Sequence, residues 1–489
     1  MMALRSVISS RIPMVIILGA TGTGKTKLSV ELAQKFGTEI ISADSMQIYK
    51  GLDVVTAKAS VQERETVKHH LLDILEPHQM FTVVDFRNRA LKIIDNLTEQ
   101  GKIPVIVGGT HYYIESIVYK ILVEDTDDTE VLLWDKSRKR DFDSKDNDEI
   151  KRKKTATDDD VKREDELSKS IAKNQSVLEE QGTSREGSGE DREIVKAELQ
   201  KFFDNENQFS NEEIHAKLHS VDPVMAAQLH PNNRRKVLRS MEVFLKSGRL
   251  HSDILAEQKL SEGELRRPGS TVILWLKCEQ SVLDKRLDAR VDAMLEEGLI
   301  RELLDFHDRH NKHRIQDGMA ADYTKGVFQT LGFKEFHKYL ILTEDQRQSE
   351  DGKKLLQLSI DNMKAATRRY ARRQNKIVRG RFLQHPFRQI PPVYELDTTD
   401  ITSWEENVKN KAETIISSFL NETPCDYEPL KLKIDEEKKN IDGKSYNYCE
   451  ICSRLIIGDK TYEIHLKSNR HMKVLKKKTN NINQQEPTT

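Results

Sequence analysis

A run of aliphatic residues from Val15 to Leu18 stops at Gly19, continues as Ala20-Thr21-Gly22-Thr23-Gly24-Lys25-Thr26, and leads into an amphipathic stretch ending at Phe36. Few patterns restrict a fold more. Eight residues of the form GxxxxGK[ST] between a strand and a helix describe a P-loop. Its glycines let successive backbone N–H groups turn inward around a diphosphate, and the positive end of the following helix adds to the field. Lys25 contributes a point charge and Thr26 a hydroxyl for Mg²⁺. Such a loop binds phosphate groups, and hydrolysis of a nucleotide is a separate question.

The segments that follow supply the rest of a parallel sheet. Glu39–Ala43 reads as a second strand ending at Asp44, Ile103–Val107 as a third ending at Gly108-Gly109-Thr110, and Thr271–Lys277 as a fourth. A helical pattern runs from Leu283 to Leu304. Strands alternating with helices predict an α/β fold with helices on both faces of the sheet and ligands at the carboxyl ends of the strands. Asp44 and Thr110 then share a rim with the glycine loop. The third strand ends in Gly-Gly-Thr where an ATPase presents an acidic residue to hold Mg²⁺ and water, which argues against a motor or pump. Asp44 is the carboxylate at a strand end close to the loop, and on its own it reads equally as a turn former or helix cap.

At 489 residues the chain exceeds one ordinary domain, and 33% charged residues with 6% aromatics mean that part of it packs nothing. That part is residues 135–199, with 19 acidic and 16 basic positions and Phe142 as the sole aromatic, so disorder is expected over 135–200. No stretch reaches the roughly 18 apolar residues of a membrane span, and four cysteines are too few for a disulfide scaffold. The N-terminal MMALRSVISSRIPM carries Arg5 and Arg11 without an acid, as a weak mitochondrial presequence does, and initiation at Met14 would remove both.

Two further features concern nucleic acid. Between residues 362 and 394 there are nine basic residues and no acidic one, including Lys364, Arg368, Arg369, Arg372, Arg373 and Lys376 on an expected helix. Near the C-terminus, Cys449-x2-Cys452-x12-His465-x5-His471 has the spacing of a tetrahedral zinc site. Tyr446, Leu455, Ile456 and Leu466 are its expected apolar core, and the following helix is basic. Cys278 reads as a buried thiol and Cys425 as a bystander.

Five blocks, in order, resemble the tRNA dimethylallyltransferase family: GATGTGKT, ADSMQIYKGLDVVTAK at 43–58, VGGTHYYIESIV at 107–118, DPVMAAQLHPNNRRKVLRSMEVF at 222–244 and ATRRYARRQNK at 366–376. The finger is similar to the matrin-type appendage of eukaryotic members. The resemblance implies transfer of the dimethylallyl group from dimethylallyl diphosphate to the exocyclic amine of the adenosine 3′ of the anticodon. It makes Gly19–Thr26 the cradle for the donor's diphosphate, with Mg²⁺ at Thr26. Asp44 becomes the general base, Thr110 a positioning residue, and Arg239 a contact to the diphosphate. Ser45, Met46, Gln47, Arg234, Arg235, Arg368, Arg369, Arg372 and Arg373 then contact the tRNA together with Asp44, and Zn²⁺ sits on the four finger ligands. A monomer in cytoplasm, mitochondrion and nucleus is expected.

The expected layout is a discontinuous core at 14–124 and 223–400, an insertion at 125–222, a helical segment and linker at 401–442, the finger at 443–478 and a disordered tail at 479–489. Two rival readings share parts of this pattern. A P-loop enzyme modifying or phosphorylating a free nucleotide has no need of the basic helix or finger, and an RNA-binding protein with a decayed loop has no need of Lys25, Thr26 and Asp44.

Overall fold

The computed structural model describes residues 12–120, 208–255, 263–311, 326–384, 388–430 and 446–476, except positions 78, 80, 453, 458, 470 and 473. The presequence, the charged segment at 135–200, the linker from 431 to 442 and the tail lie outside the described residues. Contacts divide the chain into two units. One comprises Met1–Asp143 with Ser261–Asp435, and the other Ser144–Leu260 with Glu436–Thr489. Residues 223–260 thus belong with the second unit and 401–435 with the first, where the sequence layout has the reverse.

The first unit is built on six strands: β1 (Met14–Gly19), β2 (Ile40–Ser42), β3 (His69–His70), β4 (Val105–Val107), β5 (Thr271–Lys277) and β6 (Val393–Asp397), in the order β3-β2-β4-β1-β5-β6. Every pairing is parallel. The helices of this unit used below are α1 (Lys25–Phe36), α2 (Val83–Glu99), α3 (His111–Val118), α4 (Gln280–Glu296), α5 (Leu299–His310), α6 (Phe333–Leu340), α7 (Glu350–Val378) and α8 (Lys411–Asn421).

Alternate residues of β1 enter different cores. Met14, Ile16 and Leu18 join Phe86 of α2, Ile114 of α3 and Phe306 of α5 on one face, while Val15 and Ile17 join Leu28 of α1 and Ile415 of α8 on the other. A strand covered on both sides gains from apolar residues at every position, which is why β1 and β5 read as unbroken runs. The expected helix from Leu283 to Leu304 is two helices, because Gly298 between α4 and α5 adopts φ 99. β6 follows Pro391-Pro392, outside the four strands expected from the sequence, and it completes the edge beside β5. The ends of β2, β3 and β4 are fastened by Glu39, whose carboxylate meets Lys102 at 2.8 Å and His70 at 2.6 Å.

In the second unit, helices at Asn211–Val221 and Arg234–Ser247 enclose Ile214, Leu218, Val237, Met241 and Phe244. The same unit holds an antiparallel hairpin of Tyr446–Cys449 with Arg454–Ile457, followed by a helix at Asp459–Leu466. Within it Ile456 is buried, whereas Leu466, expected in the finger core, is exposed.

Candidate active site

The P-loop joins β1 to α1, and its glycines are required by space as well as by backbone angle. Gly24 has φ 86, and a β-carbon there would lie 2.7 Å from the indole of Trp404. Trp404 braces the start of α1. Its Nε1 donates to Glu31 at 2.9 Å, and Lys27 lies 4.6 Å from the ring centroid. Lys25 is enclosed, donating to the Ala20 carbonyl at 2.8 Å. Burial, helped by the Arg290 guanidinium, pushes its pKa down to about 8, with Asp44 pulling the other way. Thr23 donates to the same carbonyl at 2.9 Å, while the hydroxyl of Thr26 has no hydrogen bond among the described residues.

Asp44 leaves β2 at the carboxyl rim of the sheet. Its Oδ1 accepts from the Met46 N–H at 2.9 Å, the bond of a turn, so the turn-forming reading of this residue is correct as far as one oxygen goes. The other oxygen points elsewhere. A β-carbon on Gly109 would lie 3.1 Å from Asp44 Oδ2, 2.7 Å from Gln374 Nε2 and 3.6 Å from the Tyr370 hydroxyl. Glycine at 109 thus leaves room for three polar groups to converge.

Thr110 sets the angle of that turn. Its N–H donates to the Ala43 carbonyl at 3.1 Å, its Oγ1 accepts from the Ser45 N–H at 2.9 Å and lies 3.0 Å from Ser45 Oγ. The hydroxyl therefore ties the end of β4 to the segment carrying Asp44. Gln47 spends its side chain on the same loop, donating to the carbonyls of Thr56 and Ala57 at 3.1 Å each. His111, next along, is buried and its Nε2 has no hydrogen bond among the described residues. Burial, and then the charge of Lys25, lower its pKa to about 4, which keeps the ring neutral.

Gln374 of α7 is the residue of this rim that sequence reasoning missed. Its Oε1 accepts from the Thr21 N–H of the P-loop at 2.8 Å, and its Nε2 donates to the Gly109 carbonyl at 3.2 Å. Thr21 N–H is only a donor and the Gly109 oxygen only an acceptor, so the amide orientation is fixed by its partners. One buried side chain thus connects the phosphate cradle to the turn beside Asp44. Tyr370, one turn earlier, has its hydroxyl pKa raised by burial and then by Asp44. A glutamine among nine cations gave no signal by composition; its spacing from Ala371 and Val378, on the buried face of α7, was the available clue.

The cations of α7 divide between two faces. Lys364, Arg368 and Arg372 pair with Asp292, Asp288 and Asp284 of α4, the first at 2.6 Å. Arg369, Arg373 and Lys376 are exposed and make no ion pair among the described residues. Grouping all of them as one phosphate-facing surface therefore requires correction: spacing of four residues aligns 364, 368 and 372 with an aspartate row of the same period. In the second unit Arg239 is half-exposed and pairs with Glu242 at 3.1 Å, and Arg234 donates to the Phe209 carbonyl at 2.9 Å. Arg235 follows Arg234 in the same helix.

The C-terminal cluster is compact. Ligand atoms of Cys449, Cys452, His465 and His471 all lie within 4.8 Å of one another. His471 Nδ1 is 3.5 Å from each sulfur and 3.2 Å from His465 Nε2. Bonds of about 2.0–2.3 Å to a tetrahedral zinc give ligand separations of about 3.3–3.8 Å. The four side chains are of the types that hold zinc and lie close enough together to share one ion.

Comparison with known proteins agrees with this geometry. A family model described as IPP transferase matches residues 47–184 and 169–381. A Mus musculus protein named tRNA dimethylallyltransferase is 40% identical over 474 residues, covering 96% of this chain and 86% of its own. A Homo sapiens protein of the same name is 39% identical over 473 residues, with the same coverage. A solved structure described as a eukaryotic dimethylallyltransferase acting on tRNA aligns with a TM-score of 0.65 at 27% identity, covering 96% of this chain and 98% of that one. This breadth of similarity leads to one conclusion: the chain belongs to the tRNA dimethylallyltransferase family, an enzyme family of prenyl transferases.

Proposed function

We propose that the first unit moves a dimethylallyl group from dimethylallyl diphosphate to the exocyclic amine of the adenosine 3′ of the anticodon in tRNA. The observation that carries this reading is the joining of Asp44, Gly109, Gln374 and Thr21 at one rim, which brings a carboxylate up to the phosphate cradle. In the reaction the bond between the allylic carbon and the diphosphate oxygen loosens, and negative charge gathers on the leaving group. Backbone N–H groups of Gly19–Thr26 and the Lys25 ammonium stabilise that charge, and losing one such donor costs about a hundredfold in rate. Asp44 accepts the proton that an aromatic amine must shed as its nitrogen attacks. Thr110 and Gln374 hold the turn and loop in register.

The free Thr26 hydroxyl suits Mg²⁺, which neutralises diphosphate charge when bound. Zn²⁺ on the four C-terminal ligands would stabilise the finger. An adenine in a loop must be unstacked to reach the rim, at a cost of a few kcal/mol. Arg369 and Arg373, having no ion pair, are better phosphate ligands than Arg368 and Arg372. Ser45, Met46, Arg234, Arg235 and Arg239 enter the reading through the resemblance alone. So do the mitochondrial form marked by Arg5 and Arg11, a cytosolic form from Met14 and a nuclear pool.

Incubation with dimethylallyl diphosphate and either AMP or an anticodon stem-loop tests the proposal. Transfer to the stem-loop is expected, and Asp44→Ala removes it while leaving tRNA affinity within a factor of two. Transfer to AMP alone would establish the free-nucleotide reading instead.

A further inference from the structure

Each glycine of the P-loop faces a wall. A β-carbon on Gly19 would lie 2.8 Å from the Leu276 carbonyl oxygen of β5, one on Gly22 2.9 Å from a Leu287 methyl carbon of α4, and one on Gly24 2.7 Å from the ring of Trp404. The first two walls belong to the sheet and to a helix packed on it. The third is a single side chain, contributed by the segment that leaves β6. Gly24 depends on its wall most: with φ 86 it is left-handed directly before α1, and a glycine by itself populates positive and negative φ about equally. The ring standing against it limits that freedom.

Trp404 is itself held from several sides. Along one face of α1 its ring lies against Gly24, the Lys27 ammonium is 4.6 Å from the ring centroid, and the indole Nε1 donates to Glu31 at 2.9 Å. Before it in the chain, the Thr398 N–H donates to the Lys277 carbonyl at 2.8 Å, and Thr399 Oγ1 accepts from the Glu279 N–H at 3.0 Å. Arg286 of α4 donates to the carbonyls of Thr398 at 2.6 Å and Thr399 at 2.7 Å. After it, the chain enters the helical turn Glu405–Asn410 and then α8, whose Ile415 and Ile416 share a core with Leu28 and Leu32 of α1. The indole is 7% exposed. A ring fastened in this way passes its position on to Gly24.

We propose that Trp404 is a positioning residue for the donor: its ring holds Gly24 in the left-handed turn and thereby keeps the N–H groups of Lys25 and Thr26 aimed at the diphosphate. This rests on the reading that the P-loop holds a prenyl diphosphate. Trp404 acts through Gly24; it exchanges no proton and joins no bond. With the ring removed, Gly24 has to be ordered at the moment the diphosphate binds. Fixing the backbone of one residue corresponds to roughly five- to thirtyfold in affinity.

The test is the kinetics of prenyl transfer from dimethylallyl diphosphate to an anticodon stem-loop, with equilibrium binding of inorganic pyrophosphate and Mg²⁺, on the full chain, Trp404→Ala and Trp404→Phe. The Ala variant should raise the donor KM and weaken pyrophosphate binding by that factor, with the stem-loop KM unchanged. The Phe variant, which keeps a ring against Gly24 and loses the bond to Glu31, should recover most of both. A protein that is merely less stable contains fewer active molecules, which lowers kcat and leaves the donor KM in place. Fluorinated tryptophan adds a reading that needs no folded Ala variant. Of the fluorine signals from Trp134, Trp275 and Trp404, the one absent from Trp404→Phe should shift when pyrophosphate saturates the parent chain. Unchanged donor KM and pyrophosphate affinity in folded Trp404→Ala, a Phe variant as weak as Ala, or a Trp404 signal unmoved by saturating pyrophosphate overturns the proposal while leaving the cradle intact. Absence of pyrophosphate binding by the parent protein overturns the cradle itself, and the two failures are thereby distinguished.

Discussion

Replacing Gln374 by glutamate changes one atom in kind and none in number, and its consequences follow from distances on the rim. The glutamate keeps an oxygen to accept from the Thr21 N–H, but it sets a second carboxylate oxygen where Nε2 donates to the Gly109 carbonyl. Gln374 Nε2 and Asp44 Oδ2 lie 2.7 Å and 3.1 Å from the same point beside Gly109. They are therefore at most about 6 Å apart, and two negative charges at that separation repel by about 3 kcal/mol at an effective dielectric constant of about 20. That energy corresponds to about two pH units in a titration. In single-turnover prenyl transfer, the acid limb of the pH–rate profile should move up by about two units in Gln374→Glu. Gln374→Met, which adds no charge, should keep the limb in place while lowering the rate throughout, because the Thr21 N–H and the Gly109 carbonyl lose their partner. Leaving each buried group unsatisfied costs about 1–3 kcal/mol. A Gln374→Glu profile that superimposes on the parent's after scaling would mean that the titrating base is not Asp44, or that it is not beside this amide, and the assignment would be withdrawn.

Three other outcomes follow from the same structure. Arg369→Ala and Arg373→Ala should each weaken stem-loop binding and flatten its dependence on salt by about one ion, whereas Arg372→Ala, which breaks an ion pair to Asp284, should leave the salt slope alone. Titration calorimetry at several ionic strengths decides between them. Cys449→Ser should release zinc, detected by a chelating dye, and weaken tRNA affinity; full affinity in the zinc-free protein would assign the finger to a protein partner. Glu39, held down to about 2 by Lys102, burial opposing, and then by His70 and Lys68, stabilises the sheet only while ionised. Its folded pKa is below the ordinary value of 4.5, so its contribution is complete above that value and is lost as pH falls toward about 2. Glu39→Gln should show a shallower loss of stability over that interval, and an equally steep one would show that the acid transition originates elsewhere.

Much of the first unit is legible in the sequence because its determinants are local. β1 and α1 are bounded by the P-loop's own glycines, and Asp44 and Thr110 reach one rim because parallel strands share a carboxyl end. What escapes is set by partners distant along the chain. β6 is five residues whose pairing comes from β5, more than a hundred positions earlier. Gln374 acquires its contacts from Thr21 and Gly109, each in the loop that follows a different strand. The first half of the basic run looks uniform until the aspartates of α4, themselves unremarkable at every fourth position, claim one side of it.

That sorting of charge has a functional side. α4 carries three aspartates toward α7, so the one helix takes cations of its neighbour out of the surface available to other partners. Were Asp284, Asp288 and Asp292 absent, Lys364, Arg368 and Arg372 would join Arg369 and Arg373 in an undivided basic face, with tighter but less oriented attachment of any polyanion. Pairing leaves Arg369, Arg373 and Lys376 as the exposed cations of α7 without an ion pair among the described residues. It also fixes α7 in rotation about its axis, and Gln374 and Tyr370, projecting from the same helix, can meet Gly109 only at that rotation. The ion pairs between the helices thus contribute to the geometry of the rim, and weakening them by double substitution should disturb catalysis more than their half-exposed positions would suggest from stability alone.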